Sequence, residues 1–495
     1  NHDRYSARFF GTRFTDRTRI TTFGSMNNTN DMGFGGPRGF GGGGSGLTAK
    51  KTAGMDFSWE NDKKEREAGH LELGGFALYS HSNNDAVTTS NSEMFLNSGS
   101  TSSFSNSFSK SASHSTSVMT RFSLEWSPDS MTSLKFQPSY NYSESKNDGT
   151  SLSATFNDNP YDLSGMVSPL DSIFAQNAKE RNPELYAMMV NTNQRWSLGD
   201  SKQHQVSGKL NVVRRLSSNG RNISLQVNGG YSKSESHSFS ISDINYNNNG
   251  AAAGSDGSTG SSSATANKNF KNQYSTTPGK SYNYSARLGY VEPLGKNWFA
   301  EVRYQYSYKY SQSNRSRFNL DSLSYKGQSY FDDYGEQLSD YDLSFGSTNY
   351  PTIGSLPTTD QVLNYVRDLN NSQYATYKYS NHTATVGIRY NSSTIRFNAG
   401  VDFNPEHTTM HYNRPSQVDT VVTRNVFNVS PQIRFRYSFS KTNRLDIRYR
   451  GSSSQPSMTD LLAVVDDSNP LSITMGNPGL KPSWSNTLRI NYNGY

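Results

Sequence analysis

Cysteine is absent from the chain. That excludes a disulfide framework, thiolate metal sites and cysteine nucleophiles. Long apolar runs are missing too. The longest, Leu461-Leu462-Ala463-Val464-Val465, falls far short of the roughly 20 residues a membrane helix needs, which rules out helical spans. The sequence opens at Asn1 with no initiator Met, charged n-region or apolar h-region, so no signal peptide is visible. Aliphatic residues are scarce: 32% of residues are hydrophobic and mean hydropathy is -0.79. A water-soluble enzyme of 495 residues would be richer in them. Ser, Asn, Thr and Gly fill the gap, with 31 Tyr and 26 Phe. A disordered chain would be short of aromatics, so this one is expected to fold. The net charge of +7 and pI near 9.1 raise the question of nucleic acid. The basic residues are scattered singly rather than gathered in a patch or stripe, and no nucleic-acid partner is expected.

What is present is period-2 alternation in paired segments, the mark of half-buried strands. Val118, Thr120, Phe122, Leu124 and Trp126 alternate with Met119, Arg121, Ser123 and Glu125. A Ser-Pro-Asp-Ser turn at 127–130 leads back through Leu134, Phe136, Pro138, Tyr140 and Tyr142, with Lys135, Gln137, Ser139 and Asn141 on the other face. Similar hairpins turn at 217–220, 293–296, 392–393 and 440–443. Weaker ones lie near 4–25 and 51–81, and a lone last strand covers about 485–494. The total is about fifteen strands, whereas single-chain bacterial barrels have even numbers, so the barrel is expected to be cut.

Short turns alternate strictly with long polar segments near 26–50, 82–116, 145–202, 235–280, 312–377, 405–424 and 453–484. A soluble sandwich has no reason for that alternation. A transmembrane barrel has one, because its periplasmic turns are tight and its extracellular loops long. Strands of about ten residues suit a tilted bilayer crossing, and only a closed sheet leaves no unpaired amide facing lipid. Trp126 and Trp298 sit beside short turns, as interfacial anchors do. The expected fold is therefore all-β: an antiparallel transmembrane β-barrel in a Gram-negative outer membrane, with outer-membrane lipid as its first partner.

Several segments resemble the outer-membrane barrel family of Bacteroidota that is similar to TonB-dependent receptors. The most specific is Gln455-Pro456-Ser457, then Asn469-Pro470-Leu471, then Gly476-Asn477-Pro478-Gly479-Leu480-Lys481-Pro482. Tyr290-Val291-Glu292-Pro293-Leu294 with Tyr304-Gln305-Tyr306-Ser307 resembles a second family hairpin. Asn27-Asn28-Thr29-Asn30, Gly46-Leu47-Thr48 and Ala53-Gly54 resemble the stretch that follows the plug domain. The resemblance implies a 22-stranded barrel filled by a plug, an energy-coupling box that meets the TonB complex, and room for a surface lipoprotein partner. On this reading residues 1–495 are one partial barrel, about 15 of 22 strands, lacking the plug domain and the C-terminal strands.

No motif for catalysis is visible, and neither an enzymatic activity nor a cofactor is expected. The Gly33–Gly46 stretch lacks a following Lys-Ser/Thr and reads as a flexible extracellular loop rather than a phosphate loop. His407 and His411 could form half a metal site, yet they are expected in a loop with no helix to fix their spacing. Asp332, Asp333 and Glu336, like Asp466 and Asp467, read as solvated loop charge rather than a cation or glycoside site. No metal site is expected, and no ligand-binding residue can be named. From Asp171 to Met189, with Pro183 suited to start a second turn, a short helix is expected within a long loop. It would either fold over the pore or cap the barrel for structural reasons.

The polar strand faces say more. Arg121, Lys135, Lys209, Arg287, Arg303, Arg389, Arg396, Arg434, Arg436, Arg448, Arg450 and Arg489 all point to the non-lipid side, against Glu125, Glu301, Asp402 and Asp446. Charge is too costly on lipid, so this face is expected to line the lumen. A basic lumen suits an anionic solute or, the favoured reading, a plug with acidic patches. The function expected is an outer-membrane transporter or receptor whose extracellular loops capture a ligand. The alternative is a passive or structural barrel, an adhesin or assembly partner, without energised transport.

Overall fold

The computed structural model describes residues 4–30, 46–63, 67–95, 102–247, 268–320, 360–440, 442–454, 456, 465–469, 472–477, 480 and 483–494. The Asp332, Asp333 and Glu336 cluster, nearly all of the Gly33–Gly46 stretch and much of the Gln455–Pro482 run lie outside them.

The backbone forms one antiparallel meander. In chain order its strands are β1 (Ser6–Phe14), β2 (Thr18–Asn27), β3 (Leu47–Glu60), β4 (His70–Phe95), β5 (Ser102–Asp129), β6 (Thr132–Phe156), β7 (Met189–Arg215) and β8 (Asn222–Tyr246). Then follow β9 (Lys268–Thr276), β10 (Gly279–Pro293), β11 (Trp298–Asn319), β12 (Arg367–Asn391), β13 (Ile395–Arg414), β14 (Val418–Ser438) and β15 (Arg444–Ser454). A small separate ladder joins β16 (Val465–Asn469) to β17 (Ser472–Met475), and β18 (Ser483–Asn493) returns to pair with β15.

Sixteen strands fill fifteen ranks of the main sheet. The difference is Pro278. Tyr274 of β9 faces Phe239 and Phe318, while Tyr282 of β10 faces Tyr231 and Tyr310, both in one unbroken register. Thus β9 and β10 are a single strand interrupted where proline supplies no N–H. The count of about fifteen strands stands on that basis. Among the described residues, β1 and β18 each pair on one side only.

The tight turns are built by side chains that mimic backbone partners. Asp129 accepts from Met131 N at 2.8 Å and from Thr132 Oγ1 at 3.0 Å. Ser392 Oγ accepts from Ile395 N, and Ser440 Oγ from Asn443 N, each at 3.0 Å. Gly220 takes a φ of 101°, which L side chains rarely adopt.

The long segments differ from expectation. Most of what reads as loop is strand. The 405–424 segment is β13 running to Arg414, three residues of turn, and β14. The 82–116, 145–202, 235–280 and 312–377 segments contribute the outer halves of β4 to β9, β11 and β12. The cause is pairing: ladders started at the short turns continue far outward, with shifts only near their outer ends at Thr155/Phe156 and Arg315/Arg317, and polar residues suit a strand with water on both faces. The helical segment of 171–189 is confirmed as α1 (Pro169–Phe174), α2 (Ala178–Arg181) and α3 (Pro183–Met188), with Ser168 Oγ capping α1 from outside Pro169. A further helix, α4 (Asp360–Tyr365), precedes β12.

Among the described residues, the buried apolar clusters lie in the outer halves of the strands, a small one at Met410 and Tyr412 of β13 included. Ala154, Phe156, Leu170, Ile173, Leu185 and Met189 pack α1 and α3 onto β5 and β6. Trp196, Leu198, Phe239, Ile241, Tyr274 and Phe318 form a second cluster across β7 to β11, with α4 beside it. Alternation puts the strand members of both on the same side as Phe136, Val212 and Leu225, save Met189, which the register shift at Thr155/Phe156 brings opposite Phe156. The helices therefore brace the outward side of the sheet and do not fold over the lumen.

Candidate functional site

Pleat and register sort every side chain to one of two walls. Near the short turns, over the roughly ten residues that span a bilayer, the outward wall is apolar, with the charges of Arg214 and Glu292 at its turn-side edge. Leu124, Phe136, Leu210, Val227, Val302 and Val386 are typical, and Val302 and Val386 are 52% and 55% exposed. An exposed apolar belt of this size would not remain free in water. Trp59, Trp126 and Trp298 stand at its turn-side margin, with Trp298 and Tyr390 in ring contact at 4.9 Å. Tyr140, Tyr231, Tyr282 and Tyr310 mark the other margin. Trp59 belongs to a weaker hairpin, whose irregular alternation hides this anchor in the sequence.

The opposite wall carries the charge, and all sixteen ionisable residues expected on the non-lipid side are there by register. Arg19, Asp56 and Glu72 join them; the irregular alternation of β2 to β4 hides these in the sequence. Acid and base are paired on β5, β6 and β11: Lys135 reaches Glu125 at 2.8 Å and Arg303 reaches Glu301 at 3.2 Å. Arg287 Nε donates to Gln305 at 2.7 Å, and Arg389 lies 5.0 Å from the centre of the Phe299 ring.

The balance fails across β13, β14, β15 and β18. Arg396 stands directly opposite Arg436, Arg434 opposite Arg448, and Arg448 opposite Arg489. Like charges so placed are destabilising. One buried carboxylate holds the group together: Asp446 accepts from Arg448 Nε at 2.6 Å, Arg436 Nε at 2.9 Å and Arg434 Nη2 at 3.3 Å. Asp402 is turned to Thr385 at 2.7 Å and Gln432 at 3.4 Å. Among the described residues, Arg396, Arg450 and Arg489 have no carboxylate partner.

Three concavities mark the same wall, one of them beside Arg19, Asp56 and Glu72. A second, of about 390 Å³, is polar, lined by Arg121, Gln137, Gln205, Lys209 and Asn283. The third, about 570 Å³, is apolar, with Phe10, Phe23, Phe76, Leu78 and Met119 at its floor. Beyond the band the lumen wall becomes a surface of hydroxyls. Every odd position from Ser103 to Ser117 and every even position from Ser232 to Ser242 is serine, and these positions share the face of Arg121 and Asn228.

His407 and His411 lie on β13, not in a loop. Four residues of strand hold them about 13 Å apart along the backbone. Each has its own partner, Asn425 at 2.6 Å and Asp419 at 2.6 Å. The His411 ring holds the Asp419 carboxyl below its usual range. Asp466 and Asp467 lie in β16. Among the described residues, no three His, Cys, Asp or Glu side chains gather as a metal ion requires.

Comparison with known proteins gives one family match. The model of the family described as "Outer membrane protein beta-barrel family" matches residues 231–494, more than half of the chain. No curated protein matches. Among solved structures, the ferric-catecholate import receptor Fiu from E. coli K12 is 9% identical, with 90% of this chain and 68% of that one covered and a TM-score of 0.34. The toluene transporter TodX of P. putida is 10% identical, covering 90% and 86%, with a TM-score of 0.25. The RagAB peptide transporter is 8% identical, covering 93% and 53%, with a TM-score of 0.26. This chain thus spans about half the length of the RagAB chain it matches.

Proposed function

The chain belongs to the outer membrane protein beta-barrel family and lies in the cell outer membrane, and from that premise we propose that it is the barrel of a transporter or receptor of the TonB-dependent kind. The observation that carries this reading is the lumen wall. Strands β12 to β15 and β18 place seven arginines on it (Arg389, Arg396, Arg434, Arg436, Arg448, Arg450 and Arg489), of which Arg434, Arg436 and Arg448 share the one carboxylate of Asp446, while Asp402 is turned to Thr385 and Gln432. Such a wall is matched by an anionic occupant. An acidic plug fits best, with an anionic solute passing the same groups during import.

Ligand capture falls to the outer halves of the strands, where hydroxyl, amide and tyrosine groups suit glycans or peptides. The TonB complex supplies the energy, a surface lipoprotein is a further partner, and the protein performs no catalysis. The bracing of the outer halves from outside the lumen favours a second reading, a passive barrel or adhesin whose surface projection is the working part.

Uptake distinguishes them. Cells carrying the complete gene are given labelled oligopeptides and oligosaccharides, with and without a protonophore. Energised import predicts accumulation that collapses with the protonophore and with Arg434→Ala/Arg436→Ala. Accumulation indifferent to the protonophore supports the passive barrel, and surface binding without accumulation supports the adhesin.

A further inference from the structure

Past the apolar band, the outward wall changes character within one row. Tyr140, Val206, Tyr231, Tyr282 and Tyr310 stand opposite one another on β6, β7, β8, β10 and β11. Two residues farther out along the same strands the row reads Tyr142, His204, Lys233, Lys280 and Gln312. These are the first outward-facing basic side chains met beyond the band on β7, β8 and β10. They fall just past the roughly ten residues of a bilayer crossing, which is the level of lipid headgroups.

An ordinary solvated surface does not favour this arrangement. Lys233 and Lys280 are directly opposite, and like charges so placed repel; His204 stands opposite Lys233 on its other side. All three are exposed. Glu235 reaches Lys233 at 2.8 Å, whereas Lys280 has no carboxylate partner among the described residues. The nearby Glu144 is shared between Lys146 at 3.6 Å and Lys202 at 3.8 Å. His204 is held in place by Tyr140 Oη at 3.0 Å from Nδ1 and by the Tyr142 ring at 4.9 Å. A Tyr140 hydroxyl donating to Nδ1 leaves Nε2–H as a free donor.

We propose that Lys233, Lys280 and His204 bind the phosphate of an anionic lipid of the outer leaflet, with its acyl chains lying along Tyr231, Tyr282 and the apolar band. The lysines supply charge, His204 a directed hydrogen bond, and the tyrosines an amphipathic ledge at the headgroup level. The site is independent of what the lumen transports. It requires only that the outward wall face lipid.

The test uses the full chain purified in detergent and titrated with bis-phosphorylated lipid A, with retention read by native mass spectrometry. Wild-type protein is expected to retain the lipid. Lys233→Gln/Lys280→Gln is expected to bind roughly thirty-fold more weakly, while Lys233→Arg/Lys280→Arg keeps most of the affinity and shows that the site still folds. Dephosphorylated lipid A should bind wild type and the Gln variant alike, and millimolar inorganic phosphate should leave the lipid in place. Equal retention by the Gln variant, tight binding of the dephosphorylated lipid, or displacement by inorganic phosphate would each overturn the assignment.

Discussion

The two walls of one set of strands make the informative comparison. Between the short turns and the tyrosine row, the outward wall carries Val, Leu, Ile and Phe, and the lumen wall carries Arg, Gln, Asn and Ser, though adjacent residues alternate between them. Backbone hydrogen bonding is the same for both, so it cannot account for the difference; the solvent does. Lipid admits no charge, which leaves each strand only its inner face for polar groups. Past the tyrosine row the contrast weakens. There the outward wall carries lysines and histidines, then buried aromatic clusters, while the lumen wall turns to serine on β5 and β8 and to a buried Met410 and Tyr412 cluster on β13. Water on both sides permits either chemistry on either face, and packing by α1, α3 and α4 decides which outward residues are buried.

The sharpest break of this contrast is expected in the outer halves. Phe239 is fully buried, and Phe239→Ala should cost about 3–5 kcal/mol locally. Hydrogen exchange should rise across 189–246 beyond the band while the membrane portion stays protected. Global loss of the barrel would show that the two regions are not separable.

A charge placed on either wall tests the comparison directly. Val302→Arg, outward and mid-band, should cost about 2–4 kcal/mol in urea unfolding from vesicles. Asn283→Arg, on the lumen wall, should stay within about 0.5 kcal/mol. Similar costs at both positions would contradict the assignment of faces.

Asp446→Ala removes the carboxylate that holds three arginines together. With two of those arginine heads nearly half exposed, the loss should be about 2 kcal/mol, below the usual figure for a broken buried pair. It should shrink in high salt, which screens the exposed guanidinium groups.

The smallest effect concerns Asp148, buried among outward-side residues of the outer half, where Trp196 Nε1 donates to Oδ1 at 3.0 Å and Oδ2 has no hydrogen-bond partner among the described residues. Burial pushes its carboxyl above the ordinary range. The folded state then binds the proton more readily than the unfolded one. Its stabilisation is full in acid and is lost as pH rises through the raised folded value. Asp148→Asn should gain about 1 kcal/mol at neutral pH and flatten the pH dependence measured by exchange around Trp196. A variant that keeps the wild-type profile would assign the titration elsewhere.

The hairpins that start at the short turns, the rank count, the band and the side on which the arginines lie can all be read along the chain. All of these follow from a period of two and from turn residues, both local properties. The small-helix segment was legible for the same reason, from Pro183, whereas the start of its first helix at Pro169 under the Ser168 cap lies ahead of the stretch the sequence marks. Only the tertiary structure decided how far the strands continue, because Ser103 to Ser117 has weak strand preference alone and is held by neighbours on both sides. It decided that the helices brace the outward side, which depends on which face of a distant strand is apolar. It also placed Asp446 among three arginines and set Lys233 beside Lys280. Those contacts join residues on different strands, and register between strands is fixed by pairing across space rather than by the order of residues along the chain.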